Sequence, residues 1–178
     1  MKQQMQVLTS SESNEWYTPP RYIDAARRCM GSIDLDPAST PAVNKWIAAK
    51  KIYTIEDDGL AQTWEGKVFC NPPYGKTQSK SNQEIWTNYA LRQYAEGSIS
   101  EAIILTKTVP GYKWWETLFR RLPVCMCRER VAFLQIVDGK PVRNGKAKMG
   151  TSLWYIGPRP LSFEHVFREI GRVILPPL

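Results

Sequence analysis

Apolar residues recur at helical spacing through 21–31, where Tyr22, Ile23, Ala26, Cys29 and Met30 share a face and Gly31 closes the run, so a helix is expected. A second helix is predicted over 41–50, with Pro41 in the first turn, where a missing N–H costs nothing. Short apolar and β-branched runs read as strands at 32–36 (SIDLD), 51–54 (KIYT) and 67–70 (KVFC). A longer helix is predicted over 82–97. It is opened by Ser81 with Glu84 three residues on, the form of a capping box, and stopped by Gly97. Residues 101–106 (EAIILT) then read as a buried strand and 112–121 as an amphipathic helix. Two strands, 131–137 and 152–157, are expected to be joined by the turn-rich basic stretch 138–150, with a last helix over 162–171. Strands alternating with helices predict an α/β fold: a mostly parallel sheet with helices on both faces and an antiparallel C-terminal strand pair.

The 178 residues suit a single domain over 15–178, after a polar tail, 1–14, expected to be disordered. No apolar stretch approaches the roughly 20 residues that cross a membrane. The start lacks the apolar core of a secretion signal. The four cysteines (Cys29, Cys70, Cys125, Cys127) form no CxxC pair and His165 is the single histidine, a pattern that argues against a metal site or a disulfide framework. A reducing, cytoplasmic setting is expected. Charge sharpens the picture. Residues 1–100 carry 11 Lys+Arg against 11 Asp+Glu, while 101–178 carry 13 against 6, so the whole net charge of +7 lies in the second part. That asymmetry predicts a polyanion-facing surface there.

The chemistry concentrates in VFCNPPYGK, residues 68–76. In open parallel sheets ligands bind beyond the carboxyl ends of the strands, which is where a turn after 67–70 would lie. Pro72 and Pro73 fix φ and carry no N–H, which holds the turn rigid and leaves carbonyls free. Asn71 offers a side-chain carbonyl acceptor, and Tyr74 a flat aromatic face. Two rigid acceptors beside a stacking platform suit a planar amino group attached to a ring.

Here the chain resembles the S-adenosylmethionine-dependent amino-methyltransferases, whose motif is Asp/Asn/Ser-Pro-Pro-aromatic, and more narrowly the phage-type DNA N6-adenine methyltransferases. The resemblance is carried in order by EWYTPP (15–20), LDPAS (35–39), EDDGL (56–60), TWEGKVFCNPPYG (63–75) and a helix beginning near Ile85-Trp86. It is dense over the first half and looser beyond. It implies a Rossmann-like class I methyltransferase fold and methyl transfer to the N6 amino group of adenine in DNA, with base flipping, in a phage- or prophage-encoded protein of a bacterial host. The Asn71 side-chain oxygen and the Pro72 carbonyl would accept from the adenine amine and localise its lone pair, with Pro73 holding the turn and Tyr74 stacking on the extruded base.

For the cofactor, the resemblance implies Tyr17, Thr18 and Pro19 near its methionine end, with Asp36, Pro37, Ala38 and Ser39 following the first strand. Asp36 would pair with the cofactor ammonium, and Thr18 and Ser39 with its carboxylate. The segment DPAST has no glycine where the broader superfamily carries GxG, as in the phage-type subgroup. In the acidic turn Glu56-Asp57-Asp58, Asp57 or Asp58 is expected to hold the adenosine part. Little chain separates KIYT from NPPY, too little for the usual extra strand and helix. Double-stranded DNA is the expected partner, gripped by Lys76, Lys80, Lys107, Lys140, Arg143, Lys146 and Lys148, with Asn144 reaching a base edge. No metal is expected, and the protein is expected to be a monomer or weak dimer. The rival readings are methylation of RNA or protein-glutamine amino groups, or a nucleic-acid-binding protein that lost catalysis. N4-cytosine methylation more often has serine where this chain has Asn71.

Overall fold

A computed structural model describes residues 16–143, 145 and 147–177; the expected tail, 1–14, lies outside them. Among these residues, eleven strands and five helices follow in chain order. They are α1 (Pro20–Met30), β1 (Leu35–Asp36), α2 (Pro41–Ile47), β2 (Lys51–Ile52), β3 (Gly66–Cys70), β4 (Lys76–Thr77), β5 (Lys80–Ser81), α3 (Asn82–Ala95) and β6 (Ile99–Lys107). The second part adds α4 (Lys113–Phe119), β7 (Val124–Cys127), β8 (Leu134–Val137), β9 (Lys140–Arg143), β10 (Thr151–Ile156), α5 (Pro160–Phe167) and β11 (Gly171–Ile174).

Seven strands form the central sheet, in the order β11-β7-β10-β6-β3-β1-β2. The pairs β1–β2, β1–β3 and β3–β6 are parallel, whereas β10 is antiparallel to β6 and β7, and β11 to β7. Five strands therefore run one way and only β10 and β11 the other, so the sheet is mostly parallel, as expected. Alternation along the strands divides the core. Phe69, Ile103, Leu105, Leu153 and Tyr155 face α1, α2 and α5, while Val68, Cys70, Ala102 and Ile104 face α3. Trp154 meets Trp115 of α4 on that second face. Burial on both faces explains why β6 reads as an unbroken apolar run rather than an alternating one.

Local chemistry sets several boundaries. Helix α2 stops at Ile47, short of the expected 50, because Ala48 turns left-handed at φ 51° and the Asn44 side chain brackets Ala49, accepting from its N–H (2.9 Å) and donating to its carbonyl (3.1 Å). The capping box before α3 does not form, because the Ser81 side chain makes no capping bond. The helix is anchored instead to the small β4–β5 hairpin, through Asn82 N–H to the Gly75 carbonyl (3.0 Å) and Thr77 Oγ1 to Asn82 Oδ1 (2.8 Å).

The C-terminal pairing also departs from expectation. The segment 131–137 does not pair with 152–157; β8 pairs with β9 in a separate hairpin, while β10 enters the central sheet between β6 and β7. Strands β7 and β11, four residues each, were not anticipated. The last helix ends at Phe167, and Gly171 opens β11 where a Cβ would lie 2.0 Å from the Met126 carbonyl oxygen.

The sheet order places a topological switch at β1. The chain leaves β1 through α2 to β2 on one side, then returns across it to β3 on the other, through a connection that contains no helix. A crevice opens at the carboxyl ends of strands where crossovers part in this way. Asp36 ends β1 and Asn71 follows β3, so the two sequence motifs meet there.

Candidate active site

Asn71 is held by its own amide. Its Nδ2 donates to the Trp16 carbonyl at 2.6 Å, which fixes which end of the side chain is nitrogen. The Oδ1 that remains is buried and accepts no hydrogen bond. A buried acceptor without a donor is costly in a folded protein, and such atoms concentrate where a ligand completes the set. Beside it, the Tyr74 ring meets Trp16 at 6.3 Å and Phe133 at 6.2 Å between centroids, both edge-on. The Lys107 ammonium lies over the ring, 4.8 Å from its centroid. Burial pushes the Tyr74 phenol well up, so it stays neutral.

A cavity of about 570 Å³ occupies the crevice, a volume suited to a single cofactor-sized molecule. One wall is Pro37, Ala38 and Ser39 from the end of β1, and another is Asn71 to Tyr74. A third is the turn after β2, including Ile55, Glu56, Asp58 and Gly59, with Trp86 of α3 behind it. Gly59 is needed there because a Cβ would lie 2.2 Å from the Pro37 carbonyl oxygen and 2.9 Å from the Trp86 ring. Its carbonyl accepts from Trp64 Nε1 at 2.7 Å, which sets the turn against the core.

Further unsatisfied polar groups lie at the same end of the sheet. The Thr18 and Ser39 hydroxyls are buried without hydrogen-bond partners. Asp36 is 2% exposed, its carboxylate accepts from the Ala38 N–H at 3.1 Å, and no cation pairs with it among the described residues. Desolvation raises its pKa to about 6; the Ala38 N–H and the nearby Ser39 hydroxyl, which completes no hydrogen bond, pull it back only in part. A carboxylate with no cation and three orphaned oxygens fit a ligand that brings a positive charge together with hydrogen-bond donors and acceptors. The thiol at Cys70 is fully buried and its pKa is pushed well up, so it is inert as a nucleophile.

The profile of the DNA N-6-adenine-methyltransferase (Dam) family matches residues 6–157. The chain belongs to this family. No curated protein is similar enough to match it. The family carries DNA adenine-N6 methylation, and the match runs from ahead of Trp16 through β10, so it spans every wall of the cavity.

In this Dam-family chain the residues expected from sequence fall into three groups. Tyr17, Pro37, Ala38, Ser39, Asp58, Asn71, Pro72, Pro73 and Tyr74 line the cavity. Thr18 and Asp36 are buried behind the lining, and Pro19 precedes α1 as its N-cap. Asp57 is turned away, its carboxylate accepting from the Thr54 N–H (2.7 Å) and hydroxyl (2.8 Å), which leaves Glu56 and Asp58 as the acids that line the cavity.

The described basic residues stand on elements that adjoin the segments lining the cavity. Lys76 and Lys80 stand on the β4–β5 hairpin, whose tip residues Gln78 and Ser79 both take positive φ (47° and 66°) without glycine. Lys140 and Arg143 bound β9, and its partner β8 is tied to the cavity by the Tyr17–Leu134 bridge. Lys148 follows, its carbonyl accepting from Arg130 at 2.6 Å, while Asn144 and Lys146 lie outside the described residues. Of these cations, Lys76, Lys80, Lys107, Lys140, Arg143 and Lys148 form no ion pair among the described residues.

Sequence reasoning missed Trp16, Ile55, Gly59, Trp86 and Phe133. Gly59 had a signal, a glycine after three acids, and Trp16 sat inside a quoted motif; Phe133 gave none, since it reaches Tyr74 only through the fold. No described helix is long and apolar enough to cross a membrane, and no described cluster of His, Cys, Asp and Glu forms a metal site.

Proposed function

We propose that the protein is a site-specific, S-adenosylmethionine-dependent methyltransferase that methylates the N6 amino group of an adenine extruded from double-stranded DNA. On this reading residues 15–178 form one Rossmann-like class I methyltransferase domain; the switch at β1 and the helices on both faces support that class. The observation that carries the function is the Asn71 Oδ1, buried, unpartnered and pinned through its own amide to Trp16.

The residues present fit the cofactor. Asp36 supplies a carboxylate without a cation for its ammonium, and Thr18 and Ser39 supply unpaired hydroxyls for its carboxylate. Asp58 and Glu56 offer acceptors for ribose or adenine, and Ile55, 91% exposed on the rim, offers an apolar face for a ring. When bound, the cofactor supplies a methyl group on an electrophilic sulfonium. The chain supplies placement. Asn71 Oδ1 and the Pro72 carbonyl accept from the amine, drawing its lone pair out of the ring so that nitrogen becomes nucleophilic. Tyr74 holds the base flat once it has left the stack, recovering part of the few kcal/mol that unstacking costs. The unpaired cations of the two hairpins and Lys107 take up DNA phosphates.

The test is incubation with labelled cofactor and unmethylated DNA, RNA or protein extract, then digestion and product identification. N6-methyladenine in DNA is the expected product. Label that enters only RNA or protein, or cofactor binding without transfer to DNA, overturns the reading.

A further inference from the structure

Lys107 ends β6 at the catalytic edge, and its ammonium covers a face of the Tyr74 ring at 4.8 Å. Its backbone is fixed, because the N–H donates to Gln83 Oε1 at 3.1 Å and the residue stands opposite Thr151 of β10. The side chain alone is free to move. No carboxylate holds it among the described residues.

The other neighbours of Tyr74 cannot retreat. Phe133 is 1% exposed within the core, and the Trp16 ring is packed edge-on against both Phe133 and Tyr74. A planar base needs an open ring face to stack on. Of the three groups around this ring, the lysine is the one with freedom to leave. Its departure also helps the chemistry, since an ammonium left beside an amine that is gaining positive charge opposes the transfer.

We propose that Lys107 is a positioning residue that covers Tyr74 in the DNA-free protein and, when the target adenine enters, exchanges the ring for the phosphate backbone beside that base. The proposal rests on the base-extruding reading above. A base covers more of the ring than an ammonium does, and the phosphate gives the lysine the counter-charge it lacks in the free protein. The grip on DNA thereby becomes conditional on an adenine having been captured.

The salt dependence of binding reads this exchange directly, because each phosphate contact contributes a slope of about 0.9 in log K against log salt. Two duplexes of equal length serve as probes: a mixed-sequence one that the wild-type protein methylates, and one of G·C pairs only. Lys107→Met is expected to lower the slope by about 0.9 on the methylated duplex and to leave it unchanged on the G·C duplex. In a Tyr74→Ala background, where nothing holds the lysine back, Lys107→Met is expected to lower the slope on both. Lys107→Arg should restore the wild-type slope on the methylated duplex. Lys107→Gln repeats the series should methionine disturb the end of the sheet, with thermal melting as the check on folding. With Tyr74 intact, an equal loss on both duplexes makes Lys107 an ordinary phosphate contact, and no loss on either makes it a fixed plug; each result overturns the exchange. A wild-type protein that leaves every adenine unmethylated strikes instead at the reading beneath.

Discussion

The two ends of the Asn71 amide differ: Nδ2 is pinned to the Trp16 carbonyl, and Oδ1 is buried and open. Asn71→Ala removes the acceptor and also frees the Trp16 carbonyl. Loss of one preorganised polar contact in an active site lowers turnover by about 10²–10³-fold. The expectation for Asn71→Ala is a fall of that size in kcat, with cofactor affinity changed only a few-fold, measured by single-turnover kinetics beside equilibrium binding. Equal collapse of cofactor binding would assign Asn71 to the cofactor instead.

Asp36 gives a pH signature at the same scale. Burial raises its folded-state pKa from 3.8 to about 6, so the stability linked to its protonated form is full below about pH 4 and is lost as pH rises towards 6. Binding a ligand ammonium needs the ionised form. Cofactor affinity is therefore expected to rise by up to about tenfold per pH unit below 6 and to level off above it. In Asp36→Asn the affinity should be weak and flat across that range. Isothermal titration of cofactor from pH 5 to 8 checks both, and a wild-type profile without a break near 6 removes Asp36 from the ammonium site.

At the scale of elements, the turn after β2 works as a wall because it presses on the loop after β1. Gly59→Ala places a methyl against the Pro37 carbonyl and the Trp86 ring, neither at the loose end of a flexible chain. Overpacking of this kind costs about 1–3 kcal/mol. Because the strained contact is the cavity wall itself, the expected result is a lower melting temperature together with a raised KM for cofactor and a smaller change in kcat. Melting and steady-state kinetics on the same preparation separate these effects.

The elements also show what can be read from the chain alone. Helix α1 and strands β3 and β6 were legible because they repeat an apolar period or run unbroken for several residues, whereas α3 was legible from its bounding residues Ser81 and Gly97. Strands β7 and β11 were not, since four residues without clear alternation acquire strand geometry only by pairing with neighbours distant in sequence. The NPPY turn and the DPAS segment were legible because proline and aspartate carry their geometry locally. Their meeting across the switch at β1 follows from sheet order, which periodicity does not encode. The orphaned oxygens and the Lys107–Tyr74 contact belong to the fold as a whole, and no local pattern announces them.

At the scale of the molecule, a partly buried charged cluster and the candidate site sit at opposite ends of one strand. Strand β6 runs from Ile99 to Lys107, about 25 Å at the usual rise per residue. At its start Glu101, 3% exposed, accepts from Tyr155 Oη at 2.6 Å and from Arg159 at 2.6 and 3.1 Å. Arg159 also donates to the Met30 carbonyl, so this cluster ties β6, β10 and α1 together. At the other end the lysine lies over Tyr74, which lines the cavity. Hydrogen bonds to a charged group contribute about 1.5–3 kcal/mol, and Arg159 keeps enough water contact to soften the loss of its partner. Glu101→Gln is therefore expected to lower stability by about 1.5–3 kcal/mol, a drop of roughly 3–12 °C in a chain of this size. Turnover per folded molecule should stay within about twofold of wild type at 25 °C, because hydrogen bonds and packing, not charge, hold the far end of the strand. Calorimetry and kinetics below the melting transition test the separation. A loss of kcat matching the loss of stability would mean that β6 transmits strain along its length, and that the ends of the sheet are coupled rather than independent.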